Sequence, residues 1–366
     1  MTCPAEAGRR IVFVSHTDAV SGAERVLIAL ATEALADGRQ VVVACPTGVL
    51  SAQLPANIRH IPIPKLGFSA ASGIDRYFAM VRLLMNWVRA AVILRPLTTD
   101  SHTSVIVNSL FALPALRLTL RKRCCAWLVH DTVTMRKQRM VVRFSGPAIR
   151  RAVAVSHTTA RQLEDFDFPV LVSFNGVHLK AEPADIATLE RPVVGILAKL
   201  TPWKGHRVAL EAMRLVPGVD LEMAGDHFPG EDDYVGELRC TANDPELIGR
   251  VRFLGHADST QCLGRWTALI SPSVGPEAGP LGILEAMSAG VPVIATDHGG
   301  SAEYLDGDVG LLVTPGDPKA LAEAITSLIS EPGLRRVMAQ RGREKVARLH
   351  DVTVTVPRML RLLTED

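Results

Sequence analysis

The 366-residue chain is 48% hydrophobic and 21% charged, a balance that excludes a disordered chain and is too long for one small core, so about two domains are expected. Six cysteines (Cys3, Cys45, Cys124, Cys125, Cys240 and Cys262) show no CxxC spacing, which excludes a disulfide framework and reads as reduced thiols in a cytosolic protein. The net charge of +2 hides an asymmetry, because residues 1–190 carry 22 Lys and Arg against 14 Asp and Glu, and the remainder carries 18 against 24.

The chain opens MTCPAEAGRR, without an apolar signal core, and residues 11–15 already read as a strand, so secretion is not expected. Short apolar runs then alternate with longer amphipathic ones, the pattern of parallel α/β units. In the first half, strands are expected at 11–15, 41–45, 104–108, 125–129, 152–156 and 170–174. Helices are expected at 22–36, closed by Gly38, and at 77–93, 113–121 and 158–163. The longest apolar stretch, 77–94, is broken by Arg82 and Arg89 and is not expected to span a bilayer. Residues 179–190, polar with a proline, read as a linker, after which the pattern restarts. Strands are expected at 193–198, 220–224, 251–254, 268–272 and 291–295, with helices at 206–215, 281–289, 318–330 and 332–348. The expected fold is α/β, two Rossmann-like domains with a cleft between them. Ligands of such sheets bind beyond the carboxyl ends of the strands, so chemistry is sought in the segments that follow them.

Four such segments stand out. After the strand ending at Pro272, Gly275, Pro276, Gly279 and Pro280 impose a loop, so a helix can begin only near Leu281. Glu277 then lies in the loop and Glu285 a little over one turn into the helix, placed to converge on one ligand from different directions. The helix start adds unpaired N–H groups and a positive dipole end, a ready anion site. The alternative is a solvated Glu277 and a Glu285 paired within the fold. Lys199 and Lys204 follow the first strand of the second half, where they could neutralise a diphosphate or simply be solvated. The run from Ser15 to Glu24 contains Gly22, which would let the backbone approach a ligand, or would merely pack a tight loop. His130 and Asp131 end another strand, as a contact to a ligand hydroxyl or as structural groups. The DxD spacings at Asp165/Asp167 and Asp306/Asp308 read as turn and surface acids, and no metal site is expected.

Together these segments resemble the retaining GT-B glycosyltransferases of family 4 (glycosyl transferases group 1). Glu277-x7-Glu285, followed by Ala286-Met-Ser-Ala-Gly-Val-Pro-Val-Ile, is similar to that family's E-x7-E signature. The likeness continues through Gly299-Gly-Ser-Ala-Glu303 and Gly310-Leu-Leu-Val-Thr-Pro-Gly-Asp317. Upstream, Ser21-Gly-Ala-Glu-Arg, Val107-Asn-Ser109, His130-Asp131, Asn175-Gly-Val, Ala224-Gly-Asp226 and Phe253-Leu-Gly-His256 follow in the family's order. The resemblance implies a first domain at 1–180 on the acceptor side, a donor domain at 181–345, and a helical segment at 346–366 crossing back to the first. It implies transfer from a nucleotide-sugar donor, with UDP- or GDP-sugars favoured, to a hydroxyl acceptor such as a glycan, lipid-linked sugar or small molecule. Lys199 and Lys204 would hold the diphosphate, Glu285 the ribose hydroxyls and Glu277 the donor sugar. The N–H groups of Gly279 and Leu281 would face sugar or phosphate, His130 the transferred sugar, and Gly22 would be the close-approach glycine. No cofactor and no essential metal are expected. Pro280 departs from a glycine common in the family and removes one backbone donor.

Two further classes compete: a non-catalytic sugar-nucleotide-binding subunit and a nicotinamide dehydrogenase. The dehydrogenase calls for a GxGxxG turn after Ser15, which is missing. A sugar-nucleotide epimerase of the same fold fits the E-x7-E context less well. The basic clusters at 121–123 and 136–139 lack the aromatic interleaving of nucleic-acid binders. They read as facing an acidic acceptor or anionic lipid headgroups, which would place a cytoplasmic protein at the inner membrane face, or else as charges on solvated surfaces.

Overall fold

A computed structural model describes residues 10–67, 73–100, 102–181, 191–228, 230–305 and 308–365. The chain divides into two compact units, the first built from 1–175 with 355–366 and the second from 176–354. The linker expected at 179–190 falls mostly outside the described residues.

The first unit holds seven strands: β1 (Arg10–Val14), β2 (Gln40–Cys45), β3 (Arg59–Pro62), β4 (Thr103–Val107), β5 (Cys125–Val129), β6 (Ile149–Ala154) and β7 (Val170–Val172). Their order is β3-β2-β1-β4-β5-β6-β7, every pair parallel. The helices between them are α1 (Gly22–Ala36), α2 (Val49–Ala52), α3 (Gly73–Thr99), α4 (Leu113–Leu118), α5 (Arg136–Ser145) and α6 (His157–Arg161). Because β1 is central and the order reverses there, right-handed crossovers put helices on both faces of the sheet. The central strands are buried on both faces, which is why they read as unbroken apolar runs.

The second unit repeats the plan with β8 (Val193–Leu197), β9 (Asp220–Ala224), β10 (Val251–Gly255), β11 (Ala268–Ser271), β12 (Val293–Thr296) and β13 (Leu311–Val313). Their order is β10-β9-β8-β11-β12-β13, again all parallel. Its helices are α7 (His206–Leu215), α8 (Asp232–Ala242), α9 (Ser259–Leu263), α10 (Leu281–Ser288), α11 (Gly299–Tyr304), α12 (Pro318–Ser330) and α13 (Pro332–Lys345). Helix α14 (Val352–Thr364) is the last, and from Thr355 it belongs to the first unit. There Arg39 Nη1 donates to Thr364 Oγ1 at 3.4 Å, and Arg150 Nη2 donates to the Leu363 carbonyl at 3.1 Å.

The fold is therefore two parallel-sheet Rossmann-like units. Residues 291–292 stay outside β12, and the helix expected at 77–93 runs on to Thr99, through Pro96. Strands β3 and β13, not anticipated from the sequence, are both sheet edges. An edge needs no two-sided apolar run, and β3 ends in Pro62, tolerated where no further strand pairs.

Candidate functional site

Both sheets have a switch point where the strand order reverses, between β1 and β4 and between β8 and β11. Loops leaving the two strands there splay apart and open a crevice. In the second unit those loops carry Lys204 and Glu277.

The two loops are fastened together by backbone. Gly205 has a φ of 75°, and a Cβ there would stand 1.8 Å from the Pro272 carbonyl oxygen. Only glycine lets the loop after β8 approach the end of β11 so closely. The Val274 N–H then donates to the Trp203 carbonyl at 2.9 Å. Lys204 is thereby delivered to Glu277, its Nζ 2.6 Å from Oε2, with the side chains 17% and 7% exposed. The other carboxylate oxygen, Oε1, accepts from Ser273 Oγ at 2.5 Å. The Lys204 ammonium also lies 4.2 Å from the centroid of the Trp203 ring.

The far side of the Glu277 loop is held by α11. Gly300 N–H donates to the Glu277 carbonyl at 2.7 Å. Gly299 has a φ of 61°, and a Cβ there would come within 2.5 Å of the same oxygen. The Thr296 hydroxyl donates to the Ser273 carbonyl at 2.8 Å. Glu277 is thus a carboxylate on a loop whose backbone is pinned at both ends, a geometry suited to holding a fixed hydrogen-bond acceptor.

Helix α10 begins at Leu281 with Pro280 as its N-cap (φ −70°, ψ 110°), where the loop prolines and glycines require it to begin. Glu277 lies in the loop, and Glu285 is on the helix, 5% exposed. Gly279 and Leu281 flank the cap, so the Leu281 N–H belongs to the first turn, whose amides have no intrahelical acceptor. Lys199, by contrast, does not join the Glu277 cluster. Its ammonium lies 4.7 Å from the centroid of the Phe228 ring, a cation–π contact beside the loop after β9.

The remaining expected residues lie in the first unit. Gly22 is the first residue of α1, and Glu24 occupies that helix start, accepting from Ser21 Oγ at 2.5 Å and from Ser21 N–H at 3.2 Å. His130 follows β5 with its Nε2 3.2 Å from Asn108 Oδ1. Asn108 Nδ2 donates to the Ala23 carbonyl at 3.0 Å, which turns Oδ1 toward the ring. His130 Nε2 must therefore carry the proton, leaving Nδ1 as the acceptor atom of the imidazole. Burial pushes the His130 pKa down to about 4, so the ring is neutral at pH 7. Burial raises the pKa of neighbouring Asp131, opposed by the Leu110 N–H that its carboxylate accepts at 3.2 Å.

Asp165 pairs with Arg139 at 2.7 Å, Asp308 pairs with Arg341, and Asp306 lies outside the described residues. No group of three or more metal-ligating side chains occurs among the described residues.

The family model described as "Glycosyl transferases group 1" matches residues 181–345, and the one described as "Glycosyltransferase Family 4" matches residues 20–181. The chain belongs to glycosyltransferase family 4. This family-4 chain is 35% identical over 158 residues to the lipopolysaccharide core biosynthesis glycosyltransferase LpsE of Rhizobium meliloti, covering 42% of the chain and 44% of that relative. It is 34% identical over 173 residues to the phosphatidyl-myo-inositol mannosyltransferase of Mycobacterium leprae, covering 44% and 43%. The chain thus aligns with less than half the length of these two relatives. In fold it is similar to Anabaena HepE, solved in complex with UDP and glucose: TM-score 0.81 at 24% identity over 97% of this chain and 99% of that one. A second HepE structure, in complex with UDP-glucose, gives the same TM-score over 96% and 98%. The shared architecture is GT-B.

In the family-4 chain, sequence reading named Lys204, Glu277 and His130 but not the groups that hold them. Ser273 was visible directly after β11, four residues before Glu277, but nothing local reveals which way its hydroxyl turns. Asn108 and the Gly299–Gly300 pair lay in quoted motifs without a role. A pair of adjacent glycines at the mouth of a strand is the signal that backbone must pass close by.

Proposed function

We propose that this family-4 chain transfers a sugar from a UDP- or GDP-sugar to an acceptor hydroxyl with retention at the anomeric carbon. One observation carries the reading: the buried Lys204–Glu277 pair at the switch point of the second unit, with Ser273 on the remaining carboxylate oxygen. An ammonium has three donors, and Glu277 takes one, so Lys204 can hold a diphosphate oxygen while still orienting the carboxylate. Glu277 then accepts from donor-sugar hydroxyls, and Glu285 from the ribose. Lys199 and the α10 N-terminus, with the N–H groups of Gly279 and Leu281, face the diphosphate.

In the step itself, the bond between the sugar C1 and the β-phosphate oxygen breaks. The acceptor oxygen bonds to C1 on the same face, and its proton passes to the departing phosphate oxygen. The charge that develops on the leaving diphosphate is met by Lys204 and the helix dipole, fixed before the reaction begins, and by Lys199 once its ammonium leaves the Phe228 ring. With that charge met by side chains, turnover is expected to survive chelation by EDTA. The first unit carries the acceptor side, where neutral His130 offers Nδ1 to a hydroxyl and Gly22 leaves the α1 entrance open. The names of the R. meliloti and M. leprae relatives support a glycan or lipid-linked acceptor, and the HepE complexes support a uridine donor.

The test is a thermal-shift panel of UDP, GDP, ADP and their sugars, followed by product analysis with the best donor. A donor that binds the folded chain raises its melting temperature by mass action. Glu277→Gln should keep the fold and lower kcat by at least about a hundredfold. A β-linked product from an α-linked donor would overturn retention. Donor binding without turnover across glycan, lipid-linked and small-molecule acceptors would favour the non-catalytic subunit.

A further inference from the structure

The Lys204–Glu277 pair has an aromatic neighbour that the donor reading leaves unused. Trp203 sits in the loop after β8, on a single helical turn, Pro202–Lys204. Its carbonyl accepts from the Val274 N–H at 2.9 Å and from the Gly275 N–H at 3.3 Å, which stitches it to the loop carrying Glu277. A Cβ on Gly275 would stand 3.6 Å from the Trp203 side chain, so that loop also passes beside the indole. The residue is held in place, yet Trp203 is 44% exposed and Val274 beside it equally so. A fixed indole left open to water forgoes the burial that tryptophan ordinarily finds within a fold.

Lys204 decides which side of the ring is open. Its ammonium lies 4.2 Å from the ring centroid and 2.6 Å from Glu277 Oε2, so it covers the side of the indole turned toward Glu277. The open area turns away from the groups assigned to the donor. It is also small. A protein partner would bury roughly 800 Å² on each side, far more than one tryptophan and one valine offer. A pyranose ring has the right size and chemistry. One of its faces presents C–H groups, slightly positive like the cations that settle on aromatic faces, and its rim carries hydroxyls. The N–H at the indole edge is a donor for one of those hydroxyls. A nucleobase would also stack, but a nucleotide bound through Lys204 lies on the covered side, as does the sugar gripped by Glu277. What remains is the acceptor, whose hydroxyl must reach the same anomeric carbon.

We propose that Trp203 is the platform on which a pyranose ring of the acceptor stacks, which makes the acceptor a glycan rather than a bare lipid or a small alcohol. The inference rests on the donor reading of Lys204 and Glu277, and its test is separable from that reading. The experiment follows tryptophan emission of the full chain during titration with methyl α-glucoside, methyl α-mannoside, methyl β-galactoside and glycerol, with and without UDP. At least one pyranoside should give a saturable change, and glycerol none. The chain has four tryptophans, so Trp203→Phe removes one reporter of the four and should abolish the change. With an acceptor that is turned over, Trp203→Leu should raise the acceptor KM at least about tenfold, the scale of one stacked ring, and Trp203→Phe by less. Both variants should keep the melting shift that UDP gives the wild type. An emission change given equally by glycerol, or by no pyranoside, overturns the proposal. So does a Trp203→Leu variant with an unaltered acceptor KM, or one that loses the UDP shift, for then the nucleotide occupies the ring. If no nucleotide shifts the wild-type melting temperature, the donor reading fails instead, and the titration without UDP still decides whether Trp203 binds a sugar ring.

Discussion

Ser273 illustrates how a side chain with no chemistry of its own can set the value of one that has it. Its hydroxyl donates to Glu277 Oε1 while Lys204 holds Oε2, so the carboxylate is fixed in rotation as well as in place. A hydrogen bond to a buried carboxylate is worth about 1.5–3 kcal/mol, or roughly ten- to a hundredfold in rate if the constraint is needed at the transition state. Ser273→Ala is therefore expected to lower kcat by about tenfold or more, with a smaller change in KM, and Ser273→Thr should restore part of it. A purely structural serine would instead lower the melting temperature and leave kcat per folded molecule alone. The two acids themselves were legible because Gly275, Pro276, Gly279 and Pro280 leave a helix no earlier place to start. Ser273 was not, because a hydroxyl can rotate to whatever the folded loops present.

At the scale of elements, the site depends on how closely two loops and a helix start can approach. Gly299 is the sharpest case: a Cβ there would stand 2.8 Å from Glu277 N and 2.5 Å from Glu277 O, both backbone atoms that cannot swing aside. Its φ of 61° adds the strain of a left-handed residue. Gly299→Ala should cost about 1–3 kcal/mol of stability, read from thermal denaturation. It should also reduce turnover well beyond the fraction unfolded, because relief requires the Glu277 loop to move. An unaltered melting curve together with full activity would mean the α11 entrance yields without disturbing Glu277. The same scale explains what sequence patterning could and could not reveal. Central strands such as β1, β5 and β9 were legible because both their faces are covered, whereas β3 and β13 lie at edges where apolar character is optional. Helix α5 read as a basic run, since few of its residues, Val142 among them, turn fully inward.

For the whole molecule, two histidines, the fully buried His206 and the partly exposed His130, tie folding to pH. Burial lowers His130 and His206 to a pKa of about 4 from an ordinary value of 6.5. Between pH 6.5 and pH 4 the unfolded chain takes up protons that the folded chain refuses, so stability rises with pH across that window and is fully present above it. Asp131 acts in the opposite sense, because its raised pKa lets the folded chain take a proton before the unfolded one does. Two histidines outweigh one acid, and the melting temperature should fall by about 5 °C or more between pH 7 and pH 4.5. His206→Gln should flatten that limb; a wild-type melting temperature level across the window would contradict the assignment.

The amino-acid sequence by itself determined the alternation of strand and helix, the loop that separates Glu277 from Glu285, and the family to which the motifs belong. Each of these rests on local chemistry: apolar periodicity, the fixed φ of proline, and residue spacing that survives without knowledge of neighbours. Only the tertiary structure decided the order of the strands, the partners of Glu277, the tautomer of His130 and the exposure of Trp203 beside Lys204. Those depend on which distant segments come within a few ångströms, and that follows from closing two sheets around their cores rather than from any stretch of chain read alone.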